Sequence, residues 1–256
     1  MVLVQGGTFT MGDTKGERPG RKVTVATFSI AKTETTIGQY KAYLKAIGSK
    51  VPERFSGIDD RYPVFELGFS DIRAYYDWLS DRTGRRYRLP TESEWEYAAR
   101  GGKLSKGFKY SGSNDIDEVA WHYDNSSGSL QMVARGKPNE LGLYDMSGNV
   151  KEMCSYARPN DPKGGYDYRN PIFRGGSWSS DQNACAVSPR VTLMDDIDMS
   201  LLDDLLGGLD GNSKTVAKDS VDYSLLDELL GGLDDKSNTL VKKVRGSEGF
   251  RLIMVK

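Results

Sequence analysis

Apolar residues recur at helical spacing in three segments of the first hundred residues. The first segment covers residues 36–47, and the second begins near Ser70, a residue type that often caps helices. The third begins at Thr91, which forms a capping-box pattern with Glu94, and ends at Gly101. The predicted inward faces carry Ile37, Tyr40, Leu44 and Ile47; then Ala74, Tyr75, Trp78 and Leu79; then Trp95, Ala98 and Ala99.

Turn residues dominate the chain after these helices. Apolar runs there are short and separated by glycines, which favours short strands and ordered loops. A last strand is predicted over residues 249–255. Early helices followed by short strands indicate an α+β fold.

An acidic segment interrupts this pattern. Residues 194–235 hold twelve Asp or Glu and two Lys, a balance of −10. Because the whole chain carries −1, the other 214 residues carry +9. The excess positive charge is scattered and forms no basic stripe with interleaved aromatics, so we predict no nucleic-acid partner.

The acidic segment contains a repeat with a period of 24 residues, in which residues 198–210 recur as 222–234. Each copy fits the LD-like pattern Leu-Asp-x-Leu-Leu-x-x-Leu and predicts a short amphipathic helix. The copies could pair as a hairpin, rest on the basic body, or each bind the groove of a partner. The partner-facing residues are Leu202, Leu205, Leu206, Leu209, Leu226, Leu229, Leu230 and Leu233.

Composition excludes several classes of site. A single histidine, His122, rules out sites with two or more histidine ligands, and two cysteines rule out four-thiolate zinc sites and iron–sulfur clusters. Apolar runs stay well short of the roughly 18 residues that a membrane span needs, so no span is predicted. The chain begins without a recognisable leader.

Six blocks in order resemble the formylglycine-generating-enzyme/sulfatase-modifying-factor family. They are GGTFTMG at 6–12, KTETT at 32–36, YRLPTESEWEYAARGG at 87–102, NELGLYDMSGNV at 139–150, RGGSW at 174–178 and GFRL at 249–252. The resemblance implies an enlarged C-type-lectin-like fold formed by residues 1–192 and 245–256. It also implies that residues 193–244 are a helical acidic insert in a surface loop.

The resemblance does not extend to the catalytic cysteines. The similar enzymes use two cysteines, five positions apart, with copper and dioxygen, and the corresponding positions here are Ser180 and Cys185. A serine hydroxyl is a poor ligand for a soft metal, so we predict no enzymatic activity and a place in the non-catalytic branch. A formylglycine-type oxidase is the alternative.

The resemblance also implies two structural features. Non-catalytic relatives carry cysteines at the positions of Cys154 and Cys185, which favours a disulfide or two buried neighbouring thiols; a lone reactive thiol at Cys185 is the alternative. The family's calcium site maps onto the side chains of Asp145 and Glu152 and the carbonyls of Gly148 and Val150. We therefore expect a structural Ca²⁺ ion, with plain loop hydrogen bonds as the alternative.

A branch of the family, the variable proteins of diversity-generating retroelements of treponemal type, displays binding residues after the Gly-Gly-Ser-Trp block. The resemblance implies a non-enzymatic protein that binds an unknown protein ligand there, at the cell surface or outside the cell. An interaction protein acting through its acidic repeats is a further alternative. The expected ligand-facing residues are Ser179, Ser180, Asp181, Asn183, Ala184, Ala186, Ser188 and Arg190.

Overall fold

The computed structural model describes residues 1–12, 20–157, 166–191 and 247–255. The predicted insert at 193–244, with all eight of its partner-facing leucines, lies outside these residues, so the insert and its boundaries stay predictions. Over the described residues the chain forms three α-helices, three one-turn 3-10 helices and nine short strands. The α+β prediction is confirmed.

Three helices lie in the first hundred residues, as the periodicity predicts. They are α1 (Ile37–Ala46), α2 (Phe69–Thr83) and α3 (Glu92–Ala99). Complete capping boxes begin α1 and α3: the hydroxyl of Thr36 accepts from the Gln39 amide, and that of Thr91 from the Glu94 amide. After α3, Gly101 adopts a φ of +88°, which ends the helix as predicted.

The second helix differs from its prediction at two points. Gly68, not Ser70, is the N-cap of α2, and no side chain caps the helix there. The buried face carries Ile72, Tyr75 and Tyr76, whereas Ala74 is exposed. The pair of tyrosines and Ile72 bury more apolar area than alanine can, and this sets the rotation of the helix.

The strands form three small sheets. The strand bounds are β1 (Val2–Val4), β2 (Gly7–Met11), β3 (Arg21–Val25), β4 (Phe28–Ile30), β5 (Arg86–Arg88), β6 (Lys151–Ala157), β7 (Tyr166–Arg174), β8 (Glu248–Gly249) and β9 (Ile253–Val255). One sheet has the order β1-β4-β9-β5, β2 and β3 form a hairpin, and the third has the order β7-β6-β8.

The predicted last strand is split into β8 and β9, which join different sheets. Gly249 pairs with Glu152 in β6, while Ile253 pairs with Ile30 and Arg88. Between them the buried Phe250 and Leu252 enter the core cluster that α1 and α2 share. The apolar run at 249–255 is therefore buried by two different sheets. Hydrophobic periodicity alone does not distinguish this arrangement from a single buried strand.

Two large hydrophobic clusters fill most of the interior, and a third, smaller one lies around Tyr110. One joins α1 and α2 through tyrosines to Phe250, and in it the rings of Tyr43 and Tyr75 meet edge to face at 5.5 Å. The other surrounds Trp95 of α3 between the four-stranded sheet and the β6–β7 pair. Trp95 is fully buried.

Gly148 allows the closest backbone approach near the centre of the molecule. Its φ is +75°, and a Cβ there would lie 2.2 Å from the carbonyl oxygen of Trp121. Gly142 has a similar φ of +79° in the same loop, yet nothing lies within 4 Å of its Cβ position. The two glycines separate the cost of an unfavourable φ from the cost of a clash.

We therefore expect Gly148→Ala to lower the free energy of unfolding by about 3 kcal/mol or more, because strain and overpacking add. The matched variant Gly142→Ala should lose only about 1–2 kcal/mol, the cost of the left-handed backbone. Urea denaturation followed by circular dichroism measures both values. Equal losses would show that the approach to Trp121 is not tight.

Candidate functional site

Two glycines at the end of β7 turn the chain back over the core. Gly175 and Gly176 have φ values of +91° and +68°. A Cβ on Gly176 would lie 2.7 Å from the Sγ of Cys185, so the backbone packs directly on that thiol. Residues 177–191 follow and form one ordered surface loop, the 177–191 loop.

The 177–191 loop is tied to the core at both ends. The amide of Trp178 donates to the Asn149 carbonyl at 2.8 Å, and the Val191 amide donates to the Phe173 carbonyl at 2.9 Å. In its middle, the Val187 amide donates to the Lys109 carbonyl at 3.1 Å. A loop held at three points presents its outer side chains in a fixed arrangement.

Arg174 is the strongest of the anchors. Its fully buried guanidinium donates to the carbonyls of Val187 at 2.6 Å and Ser188 at 2.9 Å. The same group pairs with Glu96 at 2.6 Å and Glu92 at 3.3 Å on α3. One buried cation therefore joins β7, α3 and the 177–191 loop, and the two carboxylates compensate its burial.

The predicted ligand-facing residues divide by exposure. Asp181, Asn183 and Arg190 are exposed, and Ser179, Ala184 and Ser188 are half-buried. Ser180 and Ala186 are buried, so the expectation that they face a ligand is wrong. The structure adds the exposed Gln182.

Each correction in this loop has a packing cause. The Ser180 hydroxyl accepts a hydrogen bond from the Ser177 amide at 2.9 Å, so its position is inside the turn. Ala186 belongs to a small cluster with Tyr110, Ile116 and Cys185. Arg190 reaches the surface but is held by Glu92, to which its Nε and Nη2 donate at 2.6 and 2.5 Å.

A second loop, at residues 121–133, lies against the first and was missed by sequence reasoning. The Tyr123 amide donates to the Ser180 carbonyl at 3.0 Å, and the Ser126 hydroxyl donates to the Trp178 carbonyl at 2.8 Å. The Tyr123 side chain is 67% exposed beside the polar residues of the 177–191 loop. In the sequence, only the aromatic and polar composition of residues 121–133 could have indicated this loop, because it lies about 50 residues before the 177–191 loop.

The two loops border an open cavity of about 640 Å³, the Trp178 groove. Its lining is mainly apolar and aromatic. The side chains that face it include Ile58, Tyr62, Phe65, Leu130, Met132 and Trp178.

The expected disulfide is not formed. Cys154 and Cys185 are both free thiols, and both are buried. They pack in different clusters, Cys154 beside Trp95 and Cys185 beside Tyr110, so they are not neighbouring thiols either. Burial raises the pKa of the Cys154 thiol well above its usual value, which keeps it protonated and unreactive.

The two side chains predicted to bind calcium already have partners within the protein. Both carboxylate oxygens of Glu152 accept from the buried Arg251 guanidinium, and one also accepts from the Trp95 indole at 2.7 Å. Asp145 accepts from the Ala134 amide at 2.7 Å through one oxygen. The guanidinium supplies the positive charge that the carboxylates need, so calcium stays a prediction from the resemblance alone.

Burial raises the pKa of two acidic groups near the Arg251–Glu152 ion pair. Burial raises the pKa of Asp145 to about 6, and the pKa of Glu34 lies well above its usual value because of burial and the nearby Asp145 and Glu152. The Glu34 carboxylate nevertheless accepts from Asn149 at 2.9 Å and Val150 at 3.2 Å. The cluster organises the loop that supports Trp178.

A family model described as Sulfatase-modifying factor enzyme 1-like domain matches residues 1–197. The chain belongs to this family. It is 31% identical over 240 residues to the Chaperone protein LppX of Paenibacillus barcinonensis, covering 73% of this chain and 81% of that protein. It is 27% identical over 263 residues to the Formylglycine-generating enzyme of Thermomonospora curvata, covering 72% and 84%.

A solved structure shares the fold. Treponema denticola variable protein 1 superposes with a TM-score of 0.69 at 21% identity, over 99% of this chain and 94% of that chain. The enlarged C-type-lectin-like fold of the formylglycine-generating-enzyme type is thereby confirmed, as is the predicted family resemblance. Over the described ranges, no helix of this member is long and apolar enough to cross a membrane.

We expect Asp145 to contribute a fall in the free energy of unfolding as pH rises from about 4 to 6. The folded protein keeps a proton on Asp145 up to a pKa of about 6, whereas the unfolded chain releases it near 4. Asp145→Asn should remove this contribution, so the free energy of unfolding of the variant should fall less, or rise more, over the same interval. Urea titrations at several pH values measure the slopes.

The control for this experiment is Asp59→Asn. Hydrogen bonds from Arg61 lower the pKa of the exposed Asp59 to about 2, so both folded and unfolded Asp59 are ionised between pH 5 and 6. Its removal should leave the slope in that interval unchanged. Identical slopes in the natural chain and Asp145→Asn would contradict the burial of an ionisable Asp145.

Proposed function

We propose that this protein is a non-enzymatic ligand-binding or display protein whose binding surface is the outer side of the 177–191 loop and Tyr123. The observation that carries the proposal is the division of that loop into buried anchors and exposed side chains. Ser180, Cys185 and Val187 are buried, while Asp181 and Asn183 project outward. Such a loop can bind without moving, and its outer residues can differ at little cost in stability.

The chemistry of the surface suits a protein ligand. It combines the exposed Tyr123 ring with serine, aspartate and asparagine side chains. Tyrosine supplies contact area with little loss of conformational entropy, and short polar residues supply adaptable hydrogen bonds. Asp181 accepts from the Asn183 and Ala184 amides at 2.8 Å, which orders this part of the surface before binding.

The oxidase alternative lacks support at both key positions. Ser180, where the similar enzymes carry their first cysteine, has a buried hydroxyl held by the Ser177 amide. Cys185 is fully buried in an apolar cluster. A substrate thiol would have to reach both, and a hydroxyl does not replace a thiolate on copper.

A binding role is also compatible with what similar proteins are called. One solved structure with this fold is called a variable protein, and one relative is called a chaperone. Another relative is called an enzyme, so family membership alone does not exclude catalysis. The proposal therefore rests on the loop and not on the names.

A second interaction could use the acidic repeats. Two copies of one LD-like pattern, 24 residues apart, would allow a partner with two grooves to bind both. These residues lie outside the described part of the chain, so this proposal rests on the repeat alone. It is independent of the 177–191 loop.

We expect sequence variation among isolates of the source organism to follow exposure within the loop. Substitutions should concentrate at Ser179, Asp181, Gln182 and Asn183, while buried positions stay fixed because changes there cost stability. Sequencing this gene from many isolates measures both. The exposed residues 49–51, in another loop, give the background rate.

Two results would contradict the proposal. One is an invariant 177–191 loop, which would contradict the display role and leave a binding domain of fixed specificity or an enzyme. The other is variation that is as frequent at Ser180 and Cys185 as at Asp181 and Asn183, which would show that the anchors carry no constraint.

A further inference from the structure

The Trp178 groove has the size and lining of a binding pocket. Its volume of about 640 Å³ lies within the usual range of roughly 300–1,000 Å³ for ligand sites. The lining combines Tyr62, Phe65 and Trp178 with Leu130 and Met132. Aromatic rings and a flexible methionine favour a bulky apolar group.

Along residues 130–133, which include two groove-lining residues, backbone groups with a hydrogen-bond partner alternate with groups that have none in the described chain. The Gln131 amide donates to the Asn149 side chain at 2.9 Å, and the Val133 amide donates to the Arg61 carbonyl at 3.0 Å. Leu130 precedes Gln131, and Met132 lies between Gln131 and Val133. For these two residues no backbone hydrogen bond to the rest of the described chain is found. The backbone groups of Leu130 and Met132 are thus available to pair with another chain, as the unpaired groups of a sheet edge are.

The two loops that form the proposed binding surface also contribute residues to the groove. Trp178 lines the groove and directly precedes Ser179. The Ser126 hydroxyl donates to the Trp178 carbonyl, and the Tyr123 amide donates to the Ser180 carbonyl. The groove and the polar surface are therefore parts of the same pair of loops.

The charges beside the groove neutralise each other. Asp59 lines the groove, and its carboxylate accepts from Arg61 Nε at 3.0 Å and Nη2 at 2.9 Å. An incoming charged side chain would gain little from this pair and would lose water among Tyr62, Phe65 and Leu130. The groove therefore selects for an uncharged side chain.

We propose that the Trp178 groove binds an extended peptide segment of the protein ligand. One aromatic or large aliphatic side chain of the segment enters the groove, and the segment's backbone pairs with Leu130 and Met132. This inference rests on the proposed function, since it names the part of the ligand that the same site takes. A second copy of the chain or its own acidic repeats would be different occupants.

The first test uses the full chain and blocked pentapeptides, acetyl-Thr-Thr-X-Thr-Thr-amide, with X as Trp, Leu, Ala or Asp. Burying a large apolar side chain contributes about 1.5–3 kcal/mol, so the Trp and Leu peptides should bind at least about tenfold more tightly than Ala or Asp. Nuclear magnetic resonance titration gives the affinities. It should also show the amides of Leu130 and Met132 shifting with the Trp peptide.

The second test uses two matched variants of the full chain. Met132→Lys puts a charge on the groove wall at a half-buried position. It should lower the affinity of the Trp peptide by about tenfold or more. Leu104→Lys adds the same charge at a leucine that is 58% exposed and does not line the groove, and should leave the affinity unchanged. Thermal denaturation checks that both variants fold.

A third probe tests backbone pairing. Methylation of the peptide nitrogens on either side of X removes donors while it keeps the side chain. Methylation should lower the affinity of the Trp peptide for the full chain. Unchanged affinity would overturn the strand-pairing part of the proposal.

The outcomes separate this inference from the proposed function. Equal affinity for all four peptides, or no shift at Leu130 and Met132, overturns the groove proposal, while variation at exposed loop positions would still support the binding surface. Contacts between the groove amides and residues 201–233 without peptide would identify the acidic repeats as the occupant. Concentration-dependent protection of the same amides would identify a second copy, and either result overturns the proposal.

Discussion

The arrangement of the surface depends on one buried cation. Arg174 ends β7, pairs with Glu92 and Glu96 on α3, and donates to two carbonyls of the 177–191 loop. Removing this guanidinium would leave two buried carboxylates and two carbonyls without their shared donor. Because unpaired buried polar groups cost free energy, the loop is held in the arrangement that keeps these bonds. The turn at Gly175 and Gly176, the burial of Cys185 and the outward direction of Asp181 all follow from the loop's being fixed there.

A second buried pair has the same role for the neighbouring loop. Arg251 and Glu152, with the Trp95 indole, join the C-terminal strand region to α3 and β6. Glu34 and Asn149 continue this polar network to Gln131 and to the amide of Trp178. The interior thus combines apolar clusters with two buried polar networks, and both networks support the two loops that border the groove.

Much of the fold could be predicted from sequence because its signals are local. The capping boxes at Thr36 and Thr91 and the left-handed Gly101 depend only on neighbours along the chain, and the structure has all three. The rotation of α2 and the split of residues 249–255 into two strands depend on partners far away in sequence. So do the burial of Ser180, the free thiols and the use of Glu152 by Arg251, for which a family resemblance gave no packing information.

We propose that buried anchors hold a rigid loop whose outer residues bind the ligand. Saturation substitution of residues 177–191, with protease resistance of the displayed protein as the measure of folding, tests it most directly. Most substitutions of Asp181, Gln182 and Asn183 should keep resistance, while polar or large replacements of Cys185 and Val187 should lose it. Equal tolerance along the whole loop would show that the loop is not anchored.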